Sequence, residues 1–150
     1  GKVRAVGASN FKPWDWNLLQ SAMKHRLVAN QIEISVRSTD AFTNGDLAFH
    51  QKQGTPVMAW SPLGGGSLFN QNDPKPKRLL ITISDIAETL GVDISVVALS
   101  WLILHPARII PIIGTNNPER IIEACKSIDL KLNRELWFEI YTASIGTEVP

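Results

Sequence analysis

The stretch from Arg108 to Arg120 constrains the fold most strongly, because it joins a strand pattern directly to a helix start. Its first half is a run of four isoleucines around a proline, which is typical of a strand buried on both faces. A Gly-Thr pair ends that run, and Asn117 and Pro118 then suit the N-cap and first position of a helix. Free N–H groups at such a helix start favour an anion, and Arg120 adds positive charge. An ordinary strand–loop–helix connection with a routine cap explains the same residues equally well.

The rest of the chain repeats this alternation of strands and helices. The predicted strands are Val3 to Ala8, Ala29 to Ser35, Val57 to Trp60 and Ile109 to Ile113. The predicted helices are Trp14 to His25, Thr39 to Gln53, Ser84 to Leu90, Val96 to Leu104, one that starts at Pro118, and Asn133 to Ala143. The stretch from Ser67 to Arg78 is polar and rich in Pro and Asn, which predicts a surface excursion with little regular structure. Alternating strands and helices indicate a parallel sheet in one domain over residues 1–150.

Two architectures fit such an alternation, an open doubly wound sheet and part of a (β/α)8 barrel. A dinucleotide-binding open sheet is expected to carry Gly-x-Gly-x-x-Gly after its first strand, and the Gly7 to Asn10 loop does not match it. Polar residues instead cluster where each predicted strand ends, as functional groups do in a barrel. The barrel is the better interpretation.

Composition excludes several classes of function. The net charge is only +1 and no basic stripe is visible, which argues against nucleic-acid binding. We see no signal peptide and no apolar run of membrane-spanning length, so we expect a cytoplasmic protein with no membrane partner. The single cysteine, Cys125, has no internal disulfide partner and is expected to pack under a helix.

Four short motifs occur in order and together resemble the carboxyl half of the aldo-keto reductases. They are Gly1 to Phe11 with its Ser-Asn ending, Asn30 to Glu33, Ala59 to Gly66, and Pro111 to Thr115 followed by Arg120. They resemble the fifth to eighth strands of that family. The resemblance implies a TIM-type (β/α)8 barrel, of which this chain supplies the last four β/α units and a C-terminal helix. It also implies an NADP(H)-dependent oxidoreductase that interconverts small carbonyls and alcohols by hydride transfer.

The resemblance further implies which residues bind the nicotinamide end of the cofactor. Ser9, Asn10 and Gln31 match positions that hydrogen-bond the carboxamide, and Trp60 matches the aromatic ring against the nicotinamide. Short polar side chains suit an amide, which needs both donors and acceptors. In the absence of a cofactor, Ser9 and Asn10 could simply cap the following helix.

The remaining matched positions concern the phosphates and the adenine. Those that match the loop along the pyrophosphate are Ser61, Leu63 and Gly64. Those that match the 2′-phosphate pocket and an adenine contact are Thr115, Asn116, Arg120 and Glu123. Gly114, beside them, departs from branches of the family that carry a lysine there, which leaves NAD(H) open beside NADP(H).

No residue matches the family's catalytic Tyr or the Lys, Asp and His that support it, all of which stand on the first four strands. Tyr141 lies on the last predicted helix, where we interpret it as a packed or surface ring. His25, His50 and His105 are expected at helix ends or outer faces. We therefore assign no catalytic residue and no metal ligand.

The strand pattern begins directly after Gly1-Lys2, which predicts a piece of a longer protein. Four strands cannot close a barrel, so we expect bare sheet edges and an exposed apolar face. Two functional classes stay open. One is the cofactor-binding half of an aldo-keto reductase, completed by its missing N-terminal half. The other is a non-catalytic half-barrel that associates with itself or with a partner.

Overall fold

Parallel strands form the centre of the fold in the computed structural model, which describes residues 1–70 and 77–149. Over these residues the strands are β1 (Val6–Ser9), β2 (Leu27–Glu33), β3 (Val57–Trp60) and β4 (Ile109–Pro111), in the spatial order β1-β2-β3-β4. Every neighbouring pair in this sheet is parallel, so all strand ends meet at the same edge. The register places Gln31 beside Ser9 and Met58, and Glu33 beside Trp60.

Helices connect and cover these strands. The α-helices of the described residues are α1 (Pro13–Ala22), α2 (Asp46–Gln53), α3 (Lys77–Leu90), α4 (Ile94–Ile103), α5 (Pro118–Cys125) and α6 (Arg134–Ile145). Short 3-10 turns occupy Asp40–Phe42, Gly64–Phe69 and Lys126–Ile128. Within the described ranges, no single helix is long and apolar enough to cross a membrane, and only α3 and α4 together, bent by 98°, reach that length and composition.

One face of the sheet packs into the core. Ile32, Val57 and Ile109 are buried in a cluster that also contains Ile83 of α3 and Trp101 of α4. Helix positions such as these, repeated at helical spacing, form the apolar stripe that the strands need. Burial of apolar side chains thus stabilises the sheet through one of its two faces.

The opposite face of the sheet is largely uncovered by the described residues. Val28 is 44% exposed and Ile110 is 47% exposed, while Met58 and Trp60 are half-buried. The prediction that the isoleucine run is buried on both faces is therefore wrong for this chain, because helices cover only the side of Ile109. The expected apolar exposure on the other side is confirmed at Val28 and Ile110.

Several element boundaries differ from the sequence predictions. The first strand starts at Val6 instead of Val3, and the helix predicted over residues 39–53 is split into a 3-10 turn and α2 by Gly45, whose φ is +92°. The helix predicted from Ser84 already begins at Lys77, because Leu79 and Ile83 continue its buried stripe. The excursion predicted at 67–78 contains a 3-10 turn at its start, and its residues 71–76 lie outside the described residues.

The predicted N-cap of α5 and the predicted stop of α2 are confirmed. Asn117 caps α5, since its Oδ1 accepts a hydrogen bond from the Arg120 backbone N at 3.0 Å. Asn133 caps α6 in the same way through the Leu136 backbone N at 2.8 Å. Gly54 ends α2 with a left-handed φ of +63°, which glycine adopts without steric cost.

Helix α5 has no buried residue among those described, and this overturns the expectation for Cys125. The cysteine was predicted to pack under a helix, but it is exposed at the C-terminal end of α5. The α5 helix contacts α4 and the following 3-10 turn along one side only, so its other side chains lie on the surface.

Candidate functional site

Three of the predicted site residues meet at the ends of β1 and β2, and a fourth joins them from β3. The Ser9 hydroxyl donates to the Gln31 carbonyl oxygen at 3.2 Å, and the Asn10 backbone N donates to the same oxygen at 2.8 Å. The Trp60 indole Nε1 donates to Asn10 Oδ1 at 3.0 Å. Neither Ser9 nor Asn10 caps α1, whose N-cap is Lys12, so the alternative interpretation as capping residues is wrong.

The loop after β3 is built from unusual backbone conformations. Ser61 has a φ of +48°, and Gly64, with a φ of +63°, donates its backbone N–H to the Ser61 carbonyl oxygen at 2.8 Å. A Cβ at Gly64 would lie 2.8 Å from Ser67 Oγ and 3.0 Å from Arg37 Cδ, so the position is crowded as well as left-handed. Around Gly65 and Gly66 the space is open, with Ser61 Oγ at 4.0 Å as the nearest neighbour of a Cβ built at Gly65. The backbone there is bare and can be approached closely.

Arg37 was missed in the sequence and supports this loop. Its Nη1 donates to the Ser67 carbonyl oxygen at 2.9 Å, which ties the segment after β2 to the glycine loop after β3. The sequence does not distinguish Arg37 from an ordinary surface arginine, because its hydrogen-bond partner Ser67 lies 30 residues later in the chain.

A second group of predicted site residues stands at the start of α5. Thr115 is half-buried, and its Oγ1 accepts from the Asn117 backbone N at 3.2 Å. Gly114, Asn116 and Arg120 are exposed. Glu123 accepts from Lys126 Nζ at 2.6 Å, an ion pair on the surface of α5.

The two groups share the same edge of the sheet without bonding to each other through the described side chains. The link is the sheet itself, because β3 pairs with β4 and the Ile112 backbone N donates to the Ala59 carbonyl oxygen at 2.9 Å. Leu63, which follows Ser61, packs half-buried against the core. The predicted residues therefore follow the carboxyl ends of the four strands, along a rim where the described side-chain bonds between them are those of Ser9 and Trp60.

A buried polar network beneath this rim was not predicted. Asn30 is fully buried, and its Nδ2 lies 3.0 Å from Nε2 of His50, which is also fully buried. Beside them, the Lys12 ammonium contacts Asp46 Oδ2 at 2.8 Å. Asn30 directly precedes the predicted site residue Gln31, which is a sequence signal for its part in the site. His50 lies 20 residues from Asn30 and has no such signal, because only the fold brings these two residues together.

This network borders a cleft of about 240 Å³ that opens beside the rim. Its lining is Asn10, Phe11, Lys12, Ile32, Glu33, Ser38, Asp40, Ala41, Asn44, Asp46 and Trp60. Polar and apolar side chains both line the cleft, and the pair formed by Trp60 and Asn10 is part of its wall.

Two histidines have lowered pKa values. Burial lowers the pKa of His50 below the ordinary 6.5, and the Asp46 carboxylate opposes that shift only in part. Burial also lowers the pKa of His105, whose Nδ1 accepts from the Ala107 backbone N at 3.1 Å. His50 does lie in the last turn of α2, as predicted, but it faces the interior and not an outer face.

Tyr141 lies among aromatic rings on α6 and is half-buried. Its ring centroid is 5.6 Å from those of Phe42 and Trp137. The sequence interpretation of a packed ring is confirmed.

Comparison with known proteins identifies the family. Residues 1–144 match the Aldo/keto reductase family, so the chain belongs to that family of oxidoreductases. It is 53% identical over 149 residues to a 6-dehydroglucose reductase of Agrobacterium fabrum, covering 99% of this chain and 49% of that protein. It is 39% identical over 151 residues to the oxidoreductase YdhF of Escherichia coli, covering 100% of this chain and 50% of that protein. The chain thus spans about half the length of these relatives.

Solved structures support the same fold. A thermostable aldo-keto reductase, Tm1743, superposes with a TM-score of 0.83 at 25% identity, over 93% of this chain and 48% of that one. An aldose reductase from Giardia lamblia gives a TM-score of 0.80 at 23% identity, over 100% of this chain and 48% of that one. The α/β fold with a parallel sheet is therefore that of the aldo-keto reductases, whose complete members are (β/α)8 barrels.

Proposed function

We propose that this chain is the NADP(H)-binding half of an aldo-keto reductase, forming one domain that supplies the last four β/α units of the barrel and its C-terminal helix. The main support is the convergence at one sheet edge, where the Trp60 indole bonds to Asn10 and Asn10 bonds to the strand that carries Gln31. A bound NADP(H) supplies or accepts the hydride.

The residues present fit the nicotinamide end of such a cofactor. A carboxamide requires both donors and acceptors, and the Ser9 hydroxyl with the Asn10 and Gln31 amides offers both. The half-buried Trp60 ring adds an apolar wall on the uncovered face of the sheet. Together these side chains orient a flat amide-bearing ring over the strand ends.

The rest of the rim fits phosphates. The bare backbone of Gly65 and Gly66, which follows Ser61, Leu63 and Gly64, allows the close approach that a pyrophosphate needs. Farther along, Thr115, Asn116 and Arg120 surround the start of α5, where backbone N–H groups and the helix dipole favour an anion such as the 2′-phosphate. Glu123 lies about one turn further along α5, at the position that the family resemblance matches to an adenine contact.

The proposed preference for NADP(H) depends on Arg120. The NAD(H) cofactor lacks the 2′-phosphate, so a positive charge beside that phosphate would favour NADP(H). Gly114 supplies no lysine there, which leaves Arg120 as the charge on which the proposed preference depends.

The test of this proposal is a titration of the purified chain with NADPH and with NADH, followed by tryptophan fluorescence. NADPH should bind more tightly, and R120Q should weaken NADPH by about 10- to 100-fold, the value of one charge-assisted hydrogen bond. Affinity for NADH should stay unchanged. R134Q is the matched control, because Arg134 lies on α6 against Phe138 and its loss removes the same charge away from the site. A folded chain that binds neither cofactor, or binds both equally, contradicts the proposal.

We further propose that the reaction of the whole protein, on small carbonyl or alcohol substrates, needs the missing N-terminal half-barrel. A carbonyl reduction requires a general acid within hydrogen-bond reach of the carbonyl oxygen, and the matched positions of this chain provide cofactor contacts only. Such a soluble enzyme would act in the cytoplasm, without nucleic-acid or membrane partners.

The uncovered sheet face favours a second candidate, a non-catalytic half-barrel that associates with a copy of itself. Ile110 and Val28 on that face, together with the free edges of β1 and β4, form the kind of surface that pairs or aggregates. Sedimentation of the chain with and without a separately produced N-terminal half separates the two. A stable homodimer that ignores the other half and does not bind NADPH supports the second candidate.

A further inference from the structure

Asn10 has a left-handed backbone conformation, with a φ of +56°, which asparagine adopts more readily than most residues other than glycine. Its side chain is fixed by the bond from Trp60 Nε1, and its backbone N donates to the Gln31 carbonyl oxygen at 2.8 Å. The next residue, Phe11, is held by hydrogen bonds as well.

The backbone of Phe11 is held on both sides by Asn30. The Asn30 Nδ2 donates to the Phe11 carbonyl oxygen at 2.8 Å, and Asn30 Oδ1 accepts from the Phe11 backbone N at 3.4 Å. A backbone N–H can only donate and a carbonyl oxygen can only accept. The orientation of the Asn30 amide is therefore fixed by its partners, with no freedom to exchange its oxygen and nitrogen.

The fixed amide in turn determines the state of His50. Asn30 Nδ2 lies 3.0 Å from His50 Nε2, and because Nδ2 is a donor, Nε2 must accept. The imidazole is therefore neutral and carries its proton on Nδ1. Trp16 and Phe49 contact the ring edge to face, with centroid distances of 4.9 and 5.1 Å, so the ring has little room to turn.

We propose that neutral His50 is a positioning residue for the nicotinamide end of the cofactor site. Its Nε2 accepts the second N–H of the Asn30 amide and so helps to keep that amide in the orientation that bonds the Phe11 backbone, next to Asn10 and its bond from Trp60. This inference rests on the proposed function for its meaning in catalysis. The structural part of the inference, the coupling of His50 to Asn10 and Trp60, stands independently of any cofactor.

Protonation of His50 would break this arrangement. A second N–H, on Nε2, would then face the N–H of Asn30, so two donors would meet. The charged groups that face the ring are Asp46, one turn earlier on α2, and Lys12, which binds Asp46 from the segment before α1. Asp46 Oδ1 and His50 Nδ1 are both buried without a hydrogen-bond partner among the described residues, and the Asp46 charge offsets only part of the lowering of the His50 pKa by burial. Acid should therefore loosen Asn10.

The first test determines which ring nitrogen of His50 carries the proton in the unsubstituted chain. Nitrogen NMR of His50 at neutral pH should show Nδ1 protonated and Nε2 unprotonated. The opposite tautomer, or a charged ring, overturns the inference. This measurement needs no variant and no cofactor.

The second test measures the NMR resonance of the Trp60 indole N–H. This resonance is identified among those of the five tryptophans by its loss in W60F. H50F keeps a ring of similar shape but removes the acceptor, and it should shift or broaden this resonance. H50Q keeps an acceptor in reach of Asn30 and should leave the resonance near its original place. H105Q is the matched control, because His105 has the same direction of pKa shift but packs on Phe42 and Trp137. An unmoved Trp60 resonance in folded H50F overturns the inference.

The third test concerns the cofactor. NADPH should bind H50F about fivefold more weakly than the unchanged chain, as expected if the competent conformation of Asn10 falls to about one fifth of molecules. H50Q should restore most of the affinity, which a purely structural role of the ring would not predict. If the unchanged chain itself does not bind NADPH, the proposed function fails, while the NMR tests still decide the role of His50.

Discussion

The N-cap of α5 offers a sharp test, because α5 is the one α-helix of the described residues that has no buried side chain. It has eight residues and contacts α4 and the following 3-10 turn on one side, so it has less of the tertiary packing from which most short helices derive their stability. Asn117 satisfies the Arg120 backbone N at 3.0 Å. Replacing such a cap by alanine costs about 1 kcal/mol, which corresponds to about a fivefold change in an equilibrium.

N117A should therefore fray α5 locally, with amide exchange over this helix about fivefold faster and NADPH affinity reduced by up to about fivefold. N133A is the matched control. It removes the equivalent cap of α6, which carries the buried Ile140, and should lower the free energy of unfolding by about 1 kcal/mol without changing NADPH binding. Equal effects of the two variants on NADPH binding, or unchanged exchange over α5 in N117A, would refute the reasoning.

Two further predictions concern stability. A Cβ at Gly7 would lie 2.5 Å from the Ala29 carbonyl oxygen, so G7A should push β1 away from β2 and lower the free energy of unfolding in urea by about 1–3 kcal/mol. The control is G114A, which has open space around it and should change that free energy by less than about 0.5 kcal/mol. Similar losses in both variants would contradict this prediction. The lowered pKa values of His50 and His105 mean that the unfolded chain takes up protons first as pH falls below 6.5. The free energy of unfolding should therefore be largest above pH 6.5 and fall as the pH decreases toward the lowered pKa values, by at most about 1.4 kcal/mol per pH unit for each histidine. H105Q should make this dependence on pH less steep.

The sequence predicted best those elements whose determinants are local. The β3 strand from Val57 to Trp60 matches its prediction, because it is a short apolar run bounded by clear breakers. The start of α5 at Pro118 also matches, since the Asn-Pro pair specifies a cap within a few residues. The alternation of strands and helices indicated a parallel sheet, and the sheet is parallel throughout its described strands.

Features that depend on contacts between distant residues could not be predicted in the same way. The stripe that extends α3 back to Lys77 gains its stability from packing against α6, which follows more than 40 residues later. The pairing of His50 with Asn30 requires α2 to fold over β2. Cys125 was misjudged because small apolar residues are usually buried, whereas the surface of α5 that carries it has no partner among the described residues.

The candidate site could be predicted from the sequence only by combining the four motifs. Trp60 alone fits a core strand, and its proposed place in the site is supported by the bond to Asn10, which lies 50 residues earlier in the chain. The left-handed backbone of Asn10 and Ser61 has no sequence signal as clear as a glycine would give. Family resemblance supplied these residues, and the fold brings Asn10 and Trp60 into contact.

We propose that the rim at the strand ends binds NADP(H), and the most direct test is to map the amide resonances of the chain that move when NADPH is added. We expect saturable shifts at Ser9, Gln31, Ser61 and Thr115, along the whole rim from β1 to α5. Shifts confined to other surfaces, or none from a folded chain at millimolar NADPH, would contradict it.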